Sequence, residues 1–409
     1  MSLFLFTGGR FLDPRQDALQ DGVDVLVEDG TIKEVGRITA SGAERIDLRG
    51  KTVMPGLIDA HIHIFLAEVN LQHLADVPLT LLAAKGAASM RAMLMRGFTT
   101  LRDTGGADWG IKAAAEQGLF EGPRLFISGR PISQTGGHAD FRKRTQTRFG
   151  ECACCSGVSF VARTADGLPE VIQATRDELR KGADQIKIMA SGGVASQLDP
   201  LESLQFRTDE IEAIVDEATR WGTYVCAHAY SAAAITRAVT AGVRTIEHGN
   251  LIDEAAAKLM AGKGAFLVPT LVAYDALRRR GPDYGLSDYS LAKNKIVLEA
   301  GLRSLEIARS AGVSIGFGSD LLGQLQNDQC VEFDIRKDLM SPAEIIRSAT
   351  LVNARIVRQE GMLGELIPGA HADLLVVDGD PFRDLSLFTP EGANIDAIML
   401  GGRFVKNAL

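Results

Sequence analysis

A mixed α/β architecture, a (β/α)8 TIM barrel with a small β-sandwich domain formed by both chain ends, is the fold class that this sequence predicts. Three observations carry it. Eight short apolar runs alternate with helix-patterned stretches through the middle of the chain, the two ends read as strands and hairpins, and no nucleotide loop advertises an open doubly wound sheet. Gly50-Lys51-Thr52 lacks the earlier glycine of such a loop, since Arg45 stands there, and Gly316-Phe317-Gly318 is followed by Leu321 where a glycine is needed.

Residues 1–55 are β in texture. Asp24 to Glu28 alternates, Asp29-Gly30 is a hairpin signal, and Thr31 to Val35 resumes the alternation. Residues 56–361 then carry the barrel. Its eight runs are Leu57 to His63, Thr99 to Thr104, Arg124 to Ser128, Gln185 to Ala190, Tyr224 to Tyr230, Thr245 to His248, Phe266 to Thr270 and Ser314 to Asp320. Helical stretches fill the gaps, as at Leu168 to Lys181, Asp209 to Trp221, Ala232 to Ala241 and Asp253 to Gly262. The second of these is opened by Thr208 as N-cap and places Ile211, Ile214, Val215 and Ala218 on one face. Residues 362–409 return to β, with Pro368-Gly369 as a turn, Ala372 to Asp378 as a strand, and Ile395 to Leu400 and Arg403 to Val405 flanking Gly401-Gly402. Two β-rich ends meet in one small domain because chain termini commonly lie close together.

Composition excludes several classes of function. With 409 residues, 46% apolar and 23% charged, the chain buries a large core, and 44 basic against 52 acidic residues give a formal charge of -8. No global basic field is available for nucleic acid or an anionic membrane. The apolar run Leu3 to Phe6 is too short for a secretory leader, and no stretch approaches the roughly 18 apolar residues of a membrane span. The five cysteines, Cys152, Cys154, Cys155, Cys226 and Cys330, form no disulfide framework, so a cytoplasmic setting is expected. The close trio Cys152, Cys154 and Cys155 lacks the second ligand couple of a structural zinc site and reads as neighbouring thiols in a loop.

Only seven histidines occur, so their positions are informative. In a barrel of this kind, chemistry stands at the C-terminal ends of strands. His61 and His63 close the first run on one strand face, Lys187 interrupts the fourth, His228 sits on the fifth beside Cys226 and Tyr230, His248 ends the sixth, and Asp320 ends the eighth. His138 lies in a glycine-rich loop, whereas His73 in a helical stretch and His371 in the C-terminal β segment read as structural.

These residues are where the chain resembles the amidohydrolase superfamily, over nearly its whole length. Pro55-Gly56-Leu57-Ile58-Asp59-Ala60-His61-Ile62-His63 and Pro368-Gly369-Ala370-His371-Ala372-Asp373-Leu374 look like its entry and exit signatures. Ser133-Gln134-Thr135-Gly136-Gly137-His138-Ala139-Asp140, Gln185 to Val194, and Thr245-Ile246-Glu247-His248-Gly249-Asn250-Leu251 are similar to the metal-dependent prolidases (Xaa-Pro dipeptidases) related to imidazolonepropionase. The resemblance implies two zinc ions bridged by a carboxylated Lys187 and by hydroxide. His61, His63 and Asp320 would hold the more buried ion, and His228 and His248 the other. Such an arrangement keeps about one net positive charge for a developing oxyanion and brings water's pKa towards roughly 7. Asp320 would carry the proton from the attacking hydroxide to the leaving nitrogen, and His138 would hydrogen-bond the scissile carbonyl. Tyr230 would bind the substrate carboxylate, with Arg142 or Arg144 as a charge partner. The expected activity is hydrolysis of L-Xaa-L-Pro dipeptides with an apolar first residue, and the nearest rival is a carboxypeptidase or N-acyl amino acid hydrolase, ochratoxin-type amides included. Ring-opening imidazolonepropionase or deaminase chemistry fits less well, since related enzymes of those types generally use one metal. A serine hydrolase is disfavoured by the missing Gly-x-Ser-x-Gly elbow, and a scaffold that has lost catalysis by the presence of Asp320. The expected partners are a small dipeptide substrate and further copies of the same chain.

Overall fold

A computed structural model describes residues 2–142, 162–196 and 198–409. Cys152, Cys154, Cys155 and Arg144 lie outside the described residues. The middle of the chain is mixed α/β with parallel strands, as expected, but the strands belong to two sheets and not to one continuous ladder. The strand Phe98–Asp103 lies between Leu57–Ile62 and Arg124–Ile127. A seven-stranded sheet runs in the order Arg163–Thr164, Ile132–Ser133, Ile186–Met189, Val225–Ser231, Thr245–Leu251, Phe266–Val268 and Ser314–Ile315. The two short members Arg163–Thr164 and Ile132–Ser133 were not foreseen, being only two residues long each.

The sheets touch at both ends. Asp184 N donates to Ile127 O at 2.7 Å, and Ala60 N donates to Phe317 O at 2.9 Å. The expected eighth run, Ser314 to Asp320, is a strand only as far as Ile315. Beyond it a side chain replaces part of the ladder: the Asn353 amide donates to Ile58 O at 2.6 Å and to Phe317 O at 2.8 Å, while its oxygen accepts from Phe317 N at 3.1 Å. The chain there also runs against the first strand, since a Cβ at Gly318 would lie 2.7 Å from His61 Cβ.

Helices follow the expected stretches closely, as Gly167–Arg180, Thr208–Arg220, Ala232–Thr240 and Glu254–Lys263. One cap differs. Arg207, not Thr208, stands at the N-cap, and its backbone N–H is taken by the Glu210 carboxylate at 2.7 Å, which also accepts from Gly167 N at 2.6 Å. Glu210 therefore joins two successive helix starts, and negative charge in a first turn is favourable. Ile211, Ile214 and Ala218 face inward as the spacing predicts.

Strands from both ends pair with one another. Thr52–Pro55 runs antiparallel to Leu374–Val377, which in turn pairs with Ile395–Leu400, inside a six-stranded sheet. A second sheet of four strands holds Leu3–Thr7 between Asp24–Glu28 and Glu44–Asp47. Phe6, Val25, Val27, Val53, Leu374, Val376 and Met399 form a shared apolar cluster. Alternate strand residues point to one face, so this cluster is what the alternation read from the sequence buries. Among the described residues no helix is long and apolar enough to cross a membrane.

Candidate active site

Strand ends deliver the side chains. His61 and His63 come from the first strand and its exit, Lys187 from Ile186–Met189, His228 and Tyr230 from Val225–Ser231, His248 from Thr245–Leu251, and Asp320 from beyond Ser314–Ile315. His138 arrives from the turn after Ile132–Ser133. All eight line one cavity of about 790 Å³, counted with its open mouth. Cys226, at the same strand spacing, lies deeper and donates through Sγ to Ile186 O at 3.3 Å. His73 stands exposed in a short 3-10 helix, Leu71–Asp76, and His371 bridges to Thr31 among the terminal strands. Neither lines the cavity.

The imidazoles are held by their outward nitrogens. His61 Nδ1 lies 2.7 Å from Glu247 Oε2, His63 Nδ1 lies 2.8 Å from Gly105 O, and His248 Nδ1 lies 2.8 Å from Thr270 Oγ1. Each ring thus keeps Nε2 for the centre of the site. His228 is turned the other way, with Nε2 at 3.0 Å from Gly192 O, which leaves Nδ1. Partners of this kind fix ring orientation and tautomer around a metal.

Asp320 Oδ1 lies 3.3 Å from His61 Nε2 and 3.0 Å from His63 Nε2, and the ligand atoms of these three residues all fall within 4.8 Å of one another. His61 Nε2 is buried and makes no properly directed hydrogen bond. A buried polar atom without a partner is costly in water-free surroundings, so this trio has the donor set and the vacancy in bonding that a divalent ion would satisfy. The Lys187 side chain is buried in the same cavity, and among the described residues its amine makes no hydrogen bond or ion pair.

Electrostatics divide the histidines: burial lowers His63, but the hydrogen bond and charge of Asp320 outweigh it and raise that ring above its usual range. Burial holds His228 and His248 well below the usual histidine range, reinforced by the neighbouring His138 and His228 rings respectively. Burial, with Lys293 and Lys187 adding to it, takes His138 down to about 3. Neutral imidazoles are the ligating form. Burial works against ionisation of Asp320, but the charge of His61 and the hydrogen bond from His63 win and keep it well below the usual carboxylate range.

Three site residues occupy the left-handed backbone region: His248 at φ 77°, Asp320 at φ 51° and Thr270 at φ 38°. For a β-branched threonine this is a true outlier. Such conformations cost on the order of 1–3 kcal/mol each and persist where the surroundings over-determine them. The turn at His248 also breaks strand alternation, which lets consecutive residues Glu247 and His248 both serve the site.

Some supporting residues escaped the sequence reading. Glu247 links His61 to Arg102 Nη2 at 2.8 Å, with all three side chains fully buried. Charges inside the apolar strands Phe98–Asp103 and Thr245–Leu251 were the available signal, since Arg and Glu are rarely fully buried unless paired. Tyr230 OH donates to Tyr274 OH at 3.1 Å, a partnership between distant segments that no local pattern announces. Arg142 is engaged by Asp140 through bonds of 2.7 and 2.6 Å and does not line the cavity. No arginine among the described residues lines it.

Comparisons with known proteins extend over the whole chain. The profile described as the amidohydrolase family matches residues 52–405. Ochratoxinase from Aspergillus niger is 31% identical over 372 residues, which cover 88% of this chain and 76% of that protein. Among solved structures, a prolidase complexed with N-methylphosphonate-L-proline is 49% identical with a TM-score of 0.96, covering 99% of this chain and 100% of its own. A Xaa-Pro dipeptidase with bound methionine in the active site is 29% identical with a TM-score of 0.86, covering 99% of this chain and 100% of its own.

Proposed function

Because the chain belongs to the amidohydrolase family and is a hydrolase, we propose that it is a dinuclear zinc dipeptidase that cleaves L-Xaa-L-Pro bonds with an apolar first residue. The observation that carries this reading is the convergence of His61, His63, Lys187, His228, His248 and Asp320 on one cavity, together with the 49% identity to a prolidase bound to a proline phosphonate. His61, His63 and Asp320 would hold one ion, His228 and His248 the other, and a carboxylated Lys187 would bridge them. When bound, the ions supply a Lewis acid for the carbonyl and make hydroxide available near neutral pH.

The chain's own residues do the rest. Asp320 lies between the two inner histidines and takes the proton of the attacking water, then delivers it to the proline nitrogen, a secondary amine that leaves poorly until protonated. His138 donates from Nε2 to the substrate carbonyl as charge develops there. Tyr230 would meet the substrate carboxylate by turning its hydroxyl proton away from Tyr274 OH. Leu66, Leu71, Phe141, Leu277 and Leu325 form an apolar wall that excludes water from the first side chain. The scaffold is read as one closed (β/α)8 barrel over residues 56–361, supported by the bonds at both sheet ends, with residues 1–55 and 362–409 as a small β-sandwich domain. A cytoplasmic homo-oligomer is part of the same reading.

A second reading has its own support. The 31% identity to ochratoxinase and the apolar wall also suit N-acyl amino acids, ochratoxin-type amides among them. Kinetics across Xaa-Pro, Xaa-Ala and N-acyl amino acid substrates separate the two: the highest kcat/KM is expected on an apolar Xaa-Pro dipeptide, and faster turnover of an acylated amino acid would replace that assignment. Metal counting tests the centre. Near two ions per active chain are expected, and Lys187→Ala should lose metal and activity, with partial recovery by short carboxylic acids; a fully active Lys187→Ala protein would refute the bridge.

A further inference from the structure

The ring of His138 stacks on His228, with centroids 4.2 Å apart, lies where a Cβ on Gly193 would stand, and is wired to a loop that contributes Gly193, Ser196 and Asp199, none of them a proposed metal ligand. His138 Nδ1 lies 2.7 Å from Ser196 Oγ. A serine hydroxyl has one proton to give. It can go to His138 Nδ1, which places the imidazole's own proton on Nε2, or it can go to Gly193 O, which lies 3.2 Å away and would leave His138 to donate from Nδ1. Only the first arrangement gives the site a donor at Nε2, and among the described residues Nε2 has no hydrogen-bond partner of its own.

The surroundings bias the choice. Lys293, from the helix Asp288–Ser310, sends a buried ammonium into the loop, where it donates to Gly193 O, to Ser196 O at 2.6 Å and to Asp199 O at 3.2 Å. An ammonium already on Gly193 O makes that oxygen the poorer acceptor for Ser196, and the 2.7 Å contact to Nδ1 is the shorter of the two. Asp199 is the remaining competitor for an Nδ1 proton. Its Oδ2 stands 3.8 Å from Nδ1, beyond hydrogen-bond distance, and already accepts from Gly193 N and Gln205 Nε2, both at 3.1 Å. The His138 backbone is fixed as well, its N–H donating to Gln205 Oε1 at 2.8 Å.

We propose that Ser196, with Lys293 behind it, sets the tautomer of His138, keeping the imidazole proton on Nε2 where it faces the substrate carbonyl. Both are positioning residues acting through His138, and the inference rests on the reading that His138 donates to substrate. The test is nitrogen-15 NMR of histidine-labelled, zinc-loaded protein, with His138 assigned by its absence in His138→Gln. The Nε2–H pattern is expected in the wild type and in Ser196→Thr, and the Nδ1–H pattern in Ser196→Ala, where no hydroxyl proton holds Nδ1 as an acceptor and the negative charge of Asp199, 3.8 Å away, draws the ring proton to that side. Lys293→Met should give a mixture of the two. Ser196→Ala should lose about 10- to 100-fold in kcat with KM little changed, and Ser196→Thr should recover most of it. An Nδ1–H wild type, or a Ser196→Ala protein that keeps Nε2–H, overturns the proposal; an unchanged tautomer in Lys293→Met removes Lys293 from it. Failure of the underlying reading looks different: His138→Gln would then turn over substrate at the wild-type rate whatever the tautomer.

Discussion

Gly193 shows how a residue without a side chain governs one with chemistry. A Cβ built there would stand 2.0 Å from His138 Cε1 and 2.4 Å from its Nε2, so even alanine must push the imidazole away. Displacement of about 1 Å in a catalytic group can cost roughly 10²-fold in rate. Gly193→Ala is therefore expected to lower kcat by about 100-fold, which steady-state kinetics check; metal analysis beside them reads whether the displaced ring also disturbs His228, on which it stacks with centroids 4.2 Å apart. A Gly193→Ala protein with wild-type kcat would take His138 out of the reaction. The strained Thr270 belongs to the same scale. Its hydroxyl both holds His248 and approaches Tyr274 OH at 3.5 Å, which gives a physical reason for a β-branched residue to be kept at φ 38°.

Strands meet the site through a buried charge network. Arg102 on the second strand donates to Glu247 on the sixth at 2.8 Å and to Thr245 Oγ1 at 3.1 Å, and Glu247 in turn holds His61 on the first. Burial opposes both ionised forms, yet their mutual charge holds the Glu247 carboxyl well below its usual range and raises Arg102. Glu247→Gln keeps the shape and removes the charge, leaving the guanidinium buried without its counter-ion. The expected cost is about 3 kcal/mol of stability in the metal-free protein and a 10- to 100-fold loss of zinc affinity. Denaturant titration of the apo form and chelator competition measure the two separately, and unchanged zinc affinity would reduce Glu247 to a structural role. This network also marks how far the sequence was legible. Apolar runs, turn dipeptides and the strand positions of His61, His63, Lys187, His228, His248 and Asp320 are local patterns, and these six residues line one cavity. Ladder continuity was not legible, because the side chain of Asn353 replaces backbone pairing between Ile58 and Phe317. Thr208 was read as a cap from residue preference alone, whereas Glu210 supplies the acceptor to both Arg207 and Gly167, a contact between separate helices.

Across the whole molecule, the charge of -8 conceals local clusters in which cations outnumber acids. The terminal β segments grip the α/β part through such charges: Arg124 meets Asp373 at 3.3 Å, and the buried Arg96 meets Glu391 at 2.9 Å. Asp177 is the clearest case of crowding, with Lys181 at 2.6 Å, Arg180 at 2.8 Å, Arg163 at 3.0 Å and Arg130 at 3.5 Å. Partial burial raises its pKa, but hydrogen bonds from Lys181 and Arg180 outweigh this and bring it down to about 2. The sign follows from linkage. A carboxylate depressed in the folded state contributes stability that is complete above its unfolded value near 3.9 and is lost as pH falls through the folded one. Asp177 is partly buried but still reached by solvent, which screens the pairs, so Asp177→Asn should destabilise the protein by only about 1 kcal/mol at pH 7. That difference should shrink below about pH 4 and be mostly gone by about pH 2, and it should also fall in high salt because the pairs are reached by solvent. Thermal melts of wild type and variant at several pH values and two ionic strengths measure it. A gap that stays constant down to pH 2 would assign the loss to packing of the helix Gly167–Arg180 and not to charge.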